Sequence, residues 1–455
     1  MKQYSTFIFD SCVFLPETGK IELNYALDDE VFFTETIILP TPYALRPTPP
    51  SESALFALHL IGGISYYKTC CPKTIKIRSG SLSPEQAKFW NTLYTKGLGE
   101  FFFRKQINFH DLIDFPSASI TQSKPTPYAL RPTPKLLVPI GGGKDSTVTV
   151  ELLKKAGYDI TLFRIGKHPL IEETAKIMEL PLLTVERHLS PALFNLNAEG
   201  ALNGHVPITA YLSLLSAIIA EIYGFDAVVM SNERSANEGN TEYLGETINH
   251  QWSKSIECER MLRIALKDSG SPVEYFSLLR PLSELSIVQL FAALPQYFSC
   301  VTSCNTNWRL TATLSPSPSP IGGGAGGGGN RWCAHCPKCA FAFTMFSAFL
   351  PEEKLMEIFG KNLFNEEALQ PFFRQLLGLE GFKPFECVGT PEETSAAFLL
   401  AHERKDLEDT KAMQLFVTDV LPKIRGPKKL IDSVLKAAPD HCIPKSFTSV
   451  LHAHS

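Results

Sequence analysis

Gly141-Gly142-Gly143-Lys144-Asp145-Ser146, entered from the apolar run Leu136-Leu137-Val138-Pro139-Ile140, has the residue types of a phosphate cradle. Consecutive glycines let the backbone approach a ligand and turn its N–H groups inward, and a helix starting there adds the positive end of its dipole. Lys144 brings a mobile positive charge, Ser146 a hydroxyl donor, and Asp145 a carboxylate able to hold Mg²⁺ among phosphate oxygens. The spacing Cys333-x-x-Cys336-x-x-Cys339, with Cys304 upstream, offers four thiolates to a tetrahedral Zn²⁺. Cys300 is the weaker choice for the fourth ligand. A third group is polar: Ser231-Asn232-Glu233-Arg234 follows the apolar Ala227 to Met230, and Asn249-His250-Gln251-Trp252-Ser253-Lys254-Ser255 gathers amide, imidazole, hydroxyl and ammonium groups. Lys254 can neutralise a phosphate or carboxylate, and His250 can move a proton near neutral pH. The bland reading of that third group is a solvated loop and a helix start.

These residues need a scaffold, and residues 135 to about 300 supply an alternation of strands and helices. Strands are expected at Leu136–Ile140, Ile160–Ile165, Leu182–Val185 and Ala227–Met230, and helices at Ser146–Ala156, Ile171–Met178 and Ile208–Ile222. Such alternation predicts an α/β fold, a parallel sheet wound on both faces with ligands at the carboxyl ends of its strands. At Leu279-Arg280-Pro281-Leu282-Ser283-Glu284-Leu285, a strand meets a helix, and a salt bridge between Arg280 and Glu284 is expected to fix the turn. Residues 1 to about 120 read as an N-terminal α+β unit, with strands in Ser5–Phe14, Lys20–Ala26 and Val31–Leu39 and helices in Ser53–Tyr67 and Pro84–Phe102. Beyond Cys339, helices are expected at Ala340–Phe349, Glu352–Lys361, Glu366–Leu377 and Pro391–His402. The expected division is therefore 1–120, 121–345 and 346–455.

Three segments interrupt this order. Pro-Thr-Pro-Tyr-Ala-Leu-Arg-Pro-Thr-Pro occurs twice, at 40–49 and 125–134, and proline at that density favours extended surface loops. The Ser/Pro run from Ser315 to Pro320 and the glycine run to Gly329 read as a linker between Cys304 and Cys333. Loop-closure entropy grows only logarithmically with length, so the four cysteines can still meet.

With 455 residues, 44% of them hydrophobic, the chain can bury a large core, and its net charge of −4 gives no overall basic bias toward nucleic acid. The longest apolar stretch, Ile208 to Ala220, is too short to span a bilayer. The N-terminal residues alternate like a strand and lack the apolar core of a signal peptide, so a cytoplasmic protein is expected. An odd count of 11 cysteines then favours metal ligation plus buried thiols, with Cys12, Cys70, Cys71, Cys387 and Cys442 as ordinary core residues.

The glycine turn lacks the Walker spacing and resembles the S-G-G-x-D-S PP-loop of the N-type ATP pyrophosphatases, with Gly141 where those proteins have Ser. The resemblance implies a PP-loop fold of the adenine nucleotide alpha hydrolase type, with ATP cleaved between its α- and β-phosphates. The segments S-N-E-R-S-A-N-E-G-N from Ser231, N-H-Q-W-S-K-S from Asn249, L-R-P-L-S-E-L from Leu279, S-C-N from Ser303 and W-C-A-H-C-P-K-C from Trp332 go further. Together with Gly19-Lys20-Ile21-Glu22-Leu23-Asn24-Tyr25, they resemble the ATP-dependent UDP-N-acetylmuramoyl-L-alanyl-L-glutamate epimerases. A more distant likeness runs to 7-cyano-7-deazaguanine synthase, in the PP-loop and in the pattern Thr302, Cys304 and Cys333 to Cys339.

The epimerase resemblance implies ATP, Mg²⁺ and Zn²⁺ as cofactors and a UDP-muramoyl-dipeptide as small-molecule substrate, with no nucleic-acid or membrane partner. It implies nucleotide binding by Gly141, Gly142, Gly143, Lys144, Asp145 and Ser146, and a zinc site of Cys304, Cys333, Cys336 and Cys339. Asp145, Ser146 and Lys254 would serve the activation step, and His250 would be the base, with His205 and Cys258 as lesser choices. Ser231, Asn232, Glu233, Arg234, Asn249, Gln251 and Ser253 would recognise the substrate. The competing expectations are a PP-loop ligase or nitrile synthase marked by ammonia dependence, a tRNA-modifying enzyme marked by a salt-sensitive RNA complex, and a degenerate nucleotide-binding scaffold.

Overall fold

A computed structural model of the chain describes residues 2–40, 49–118, 131, 133–304 and 331–452. Both proline-rich decamers fall largely, and the Ser315 to Gly329 segment wholly, outside the described residues.

The N-terminal strands β1 (Thr6–Leu15), β2 (Lys20–Leu27) and β3 (Val31–Ile38) form an antiparallel meander. Their alternation puts Phe7, Phe9, Leu23, Tyr25 and Phe33 in the core, under helix α1 (Glu52–Tyr67). Strand β4 (Thr74–Ile77) adds in parallel beside β1. The helix expected over 84–102 is two, α2 (Pro84–Gly97) and α3 (Gly99–Lys105). The break falls at Leu98, φ −93° and ψ 6°, between two glycines whose helix propensity is low.

The βα series follows as β5 (Lys135–Pro139), α4 (Lys144–Lys155), β6 (Asp159–Ile165), α5 (Pro169–Met178), β7 (Leu182–His188), α6 (Pro191–Ala198), α7 (Ile208–Tyr223) and β8 (Ala227–Met230). Next come a short hairpin, β9 (Thr241–Tyr243) with β10 (Glu246–Ile248), then α8 (Ile256–Asp268) and β11 (Glu274–Ser277). The main sheet has nine strands in the order β11-β8-β5-β6-β7-β3-β2-β1-β4. All pairings from β11 to β7 are parallel, and most of the sheet's pairings are of that kind. The N-terminal meander joins it edge to edge, where Thr36, Ile37 and Ile38 of β3 pair antiparallel with His188, Arg187 and Glu186 of β7. Beneath this junction, Arg187 donates to the fully buried Glu35 at 2.8 and 3.0 Å, and the hydroxyls of Tyr211 and Tyr66 donate to the same carboxylate. One sheet thus continues through residues on both sides of position 120.

The remaining elements are helical: α9 (Glu284–Ala292), α10 (Pro337–Ser347), α11 (Glu352–Phe359), α12 (Gln370–Leu376), α13 (Pro391–Arg404), α14 (Lys411–Asp419), α15 (Pro427–Leu435) and α16 (Thr448–His452). Nearly every side chain of α10 is buried; its Phe343 packs on Phe359 and Phe364, and Phe364 carries the cluster on to Phe373 and Phe398, which in turn stacks on Phe416. The helix expected from Glu366 begins only at Gln370, preceded by 3-10 turns, because Pro371 fits the first turn of an α-helix but not its interior. Two compact units result: Met1–Gly141 with Thr149–Pro281 and Pro439–Ser455, and Gly142–Val148 with Leu282–Ala438. No described helix is long and apolar enough to cross a membrane.

Candidate active site

The glycine turn lies between β5 and α4, where strand, turn and helix were expected to meet. Gly142 has φ +73°, a conformation that costs glycine nothing. Among the described residues, a Cβ at Gly141 would meet nothing within 4 Å, and one at Gly143 would meet only the Thr302 carbonyl oxygen at 4.0 Å, so the backbone is uncrowded at these two positions. Ser146 Oγ and Thr147 Oγ1 donate to the Gly143 carbonyl at 3.2 and 3.1 Å, closing the first turn of α4. Lys144 differs from a mobile surface charge. It is 5% exposed and ion-paired with both Asp145 and Glu284. Burial works against its charge, but the two carboxylates outweigh that and hold its pKa well above the ordinary lysine value. Glu284 is itself buried, with Lys338 Nζ 3.8 Å away, and its backbone N–H donates to Glu393 Oε1 at 2.9 Å. Asp145 keeps more exposure than its neighbours.

Cys304, Cys333, Cys336 and Cys339 bring their sulfurs within 4.8 Å of one another. Cys339 Sγ is 3.6 Å from Cys333 Sγ and 3.5 Å from Cys336 Sγ. Tetrahedral zinc at Zn–S distances of about 2.3 Å requires sulfurs roughly 3.8 Å apart, so the set fits the ion. Thr302 ties this cluster to the glycine turn: its N–H donates to the Gly142 carbonyl at 3.0 Å, and its hydroxyl accepts from Cys304 N–H at 3.2 Å and donates to Arg331 O at 2.9 Å. Cys300 is buried and its thiol donates to Tyr297 O, outside the four-sulfur group.

The polar stretches at 231–234 and 249–254 are held together by Arg280. This fully buried guanidinium donates from Nε to Glu259 at 2.9 Å, from Nη1 to the Glu233 carbonyl at 2.6 Å, and from Nη2 to the Lys254 carbonyl. The expected bridge was to Glu284; Arg280 instead spends its nitrogens on Glu259 and two loop carbonyls, while Glu284 holds Lys144. The reason is local, since Glu259 lies on α8 and presents its carboxylate to the end of β11, where it also accepts from Ser277 N–H. Asn232 Nδ2 donates to Ser277 Oγ at 3.0 Å, and Asn249 Nδ2 to Ala236 O at 2.8 Å, so these two amides brace the loops. Glu233, Gln251 and Ser253 are buried, and Arg234 opens a 3-10 turn. Ser231 Oγ is buried with no hydrogen-bond partner among the described residues.

His250 and His205 come together on Glu100, a residue with no distinguishing sequence context. Glu100 projects from α3, 7% exposed at its side chain; its Oε2 meets His250 Nδ1 and lies 3.4 Å from His205 Nδ1. Its Oε1 accepts from Arg104 Nε at 2.6 Å, one helical turn away. The imidazole centroids are 4.6 Å apart. Burial pushes His205 down to about 4, helped by the His250, Arg104 and Lys254 charges and opposed by Glu100. Burial also works against the Glu100 carboxylate, but the His250 hydrogen bond and the His250 and His205 charges hold its pKa below the ordinary range. Gly204 is what allows His205 this position, because a Cβ there would sit 2.9 Å from Phe101 Cδ2. Cys258 is fully buried, and burial raises its thiol far above neutrality, which leaves it protonated and unsuited to be a base. An apolar cavity of about 410 Å³ among α1, α2 and α8, lined by Phe56, Trp90, Met261 and Ile264, is bordered by none of the candidate residues.

Comparison with known families finds the MurL N-terminal domain at residues 1–278 and the MurL C-terminal domain at residues 300–429. The chain is 37% identical to a UDP-N-acetyl-alpha-D-muramoyl-L-alanyl-L-glutamate epimerase of a Micromonospora species, over 99% of this chain and 98% of that protein. It is 39% identical to the protein of the same name in Salinispora tropica, over 93% and 90%. A fainter similarity, 25% over 30% of this chain and 38% of the relative, reaches 7-cyano-7-deazaguanine synthase 2 of Sulfurisphaera tokodaii.

Proposed function

The chain belongs to the MurL epimerase family, and from that premise we propose that it inverts the terminal L-Glu of UDP-N-acetylmuramoyl-L-alanyl-L-glutamate to D-Glu, consuming ATP and releasing AMP and diphosphate. It is then an isomerase of peptidoglycan precursor synthesis, acting on a small molecule in the cytoplasm. The fold reading that goes with this is a doubly wound PP-loop domain. The observation that carries the nucleotide part is the glycine turn at 141–143: its backbone is uncrowded at Gly141 and Gly143, it stands at the head of α4, and it is followed by the cation of Lys144.

The chemistry explains why ATP is needed. Removing the α-proton of a glutamate carboxylate would put a second negative charge beside the first. When the carboxylate oxygen attacks the α-phosphorus, diphosphate leaves and an acyl phosphate forms, whose carbonyl accepts the carbanion's electrons as an enolate. The proton leaves and one returns on the opposite face, and water then cleaves the acyl-adenylate. In this reading Gly141 to Ser146 hold the nucleotide phosphates, Asp145 holds Mg²⁺, which offsets phosphate charge, and Lys144 and Lys254 oppose the negative charge of the activation step. Ser231 Oγ, buried and without a hydrogen-bond partner among the described residues, would donate to the substrate, and Asn232, Glu233, Arg234, Asn249, Gln251 and Ser253 would recognise it. Cys304, Cys333, Cys336 and Cys339 hold Zn²⁺ as a structural clamp. His250 removes the proton.

The test is to incubate the full chain with this substrate, ATP and Mg²⁺, then hydrolyse the product and resolve its glutamate enantiomers. D-Glu with stoichiometric AMP is expected; AMP with L-Glu alone, or an ammonia-dependent amide, would overturn the assignment.

A further inference from the structure

We propose that Glu100, His250 and His205 form a single proton-transfer unit that serves one face of the substrate carbon, with Glu100 as the positioning residue for His250. The inference rests on the epimerase reading above. Glu100 Oε2 accepts from His250 Nδ1, which fixes the tautomer with the lone pair on Nε2, and the backbone N–H of His250 donates to Asn240 Oδ1 at 2.8 Å, fixing the loop. The α C–H bond breaks, its proton goes to His250 Nε2, and the electron pair enters the activated carbonyl as an enolate.

The second histidine is too close to be the opposing base. Carbon atoms in contact stand about 3.5–4.0 Å apart, so a carbon flanked by two rings needs roughly 7 Å between them. The centroids of His205 and His250 are 4.6 Å apart and both Nδ1 atoms face the same carboxylate oxygen. His205 therefore acts from the same side, as a neutral neighbour that keeps the site from collecting a second positive charge. The proton for the other face comes from a different group. Cations surround the three residues, Arg104 at 2.6 Å from Glu100 and Lys254 acting on His205, and they disfavour a bound dication at this carboxylate.

The experiment follows AMP release and deuterium entry at the glutamate α-carbon in D₂O, with kcat against pH, for the full chain and for Glu100→Gln, Glu100→Asp and Arg104→Met. Glu100→Gln is expected to keep releasing AMP while deuteration falls at least about 100-fold, the scale of a lost general-base contribution. Its acid limb moves to lower pH because the carboxylate no longer favours the imidazolium, and Glu100→Asp recovers part of the loss. Arg104→Met moves the limb to higher pH; its side chain is 55% exposed, so this variant decides the matter if Glu100→Gln fails to fold. Unshifted limbs in the folded variants, or a divalent ion bound by wild type and lost in Glu100→Gln, would overturn the proposal. Wild-type protein that releases AMP without deuterating the substrate would sink the epimerase reading itself.

Discussion

Around Lys144 the buried charges are paired so that the lysine stays charged across the neutral range, whereas around Glu100 two imidazoles share one carboxylate oxygen and one of them is held neutral. The first arrangement presents a fixed positive charge beside an open glycine turn. The second can take up and release a proton. Low-dielectric surroundings are common to both, and the difference lies in the groups: a lysine with two carboxylates has no reason to titrate, and two histidines with one carboxylate do. In the proposed reading, charge stabilisation and proton transfer fall to different parts of the chain.

The sharpest way to break this comparison is to remove the clamp near the glycine turn. Cys339→Ser should drop zinc from one ion per chain toward none and unfold much of the 282–438 segment, since structural zinc contributes on the order of 10 kcal/mol in small domains. Elemental analysis and a thermal melt would check it, and a zinc-free protein of unchanged melting temperature would refute the clamp. Lys144→Met comes next. It removes the Lys144 cation from the buried Glu284, an expected loss of about 3–5 kcal/mol in denaturant titration together with loss of AMP formation. Deuterium exchange into an already activated substrate analogue should survive in whatever fraction stays folded, which separates the two regions.

Acid should distinguish them in the opposite sense. His205 and His59 are both pushed down to about 4 by burial, below their unfolded value near 6.5, so in that window the unfolded chain binds more protons. Stability is then fully present above about pH 6.5 and falls as pH drops toward 4, by at most roughly 3 kcal/mol for each histidine. Lys144 contributes nothing to this slope, because its raised pKa keeps it charged throughout and its contribution is lost only well above pH 10. Melts at pH 7 and pH 4.5 should show His205→Asn flattening part of the slope. The smallest effect is expected for Thr302→Val, which removes the hydroxyl between Cys304 N–H and Arg331 O and should cost about 1–2 kcal/mol while leaving D-Glu formed per AMP unchanged.

The same contrast explains what could be read in the sequence. The glycine turn and three of the four cysteines are local patterns, with every member within a few residues of the next, and β8 from Ala227 to Met230 has the expected bounds because apolar runs between polar turns mark their own ends. The group proposed to handle protons is assembled from residues 100, 205 and 250. His250 and His205 stand out by type, but Glu100 is one acid on a helix with nothing in its neighbourhood to mark it; the break at Leu98 precedes α3, and the small Gly204 lets His205 pass close to Phe101. The Arg280 contact failed for a related reason. Sequence proximity favoured Glu284, while the partner that meets it is Glu259, brought to β11 by α8. The edge-to-edge joining of β3 and β7 likewise depends on register across about 150 residues, for which periodicity offers no signal.

The central claim is that the substrate's carboxylate becomes an acyl-adenylate before the C–H bond breaks, and oxygen isotope transfer tests it directly. With UDP-N-acetylmuramoyl-L-alanyl-L-glutamate carrying ¹⁸O in its glutamate α-carboxylate, mass spectrometry should find one ¹⁸O in the phosphate of each AMP released alongside D-Glu. D-Glu accompanied by unlabelled AMP would contradict the account.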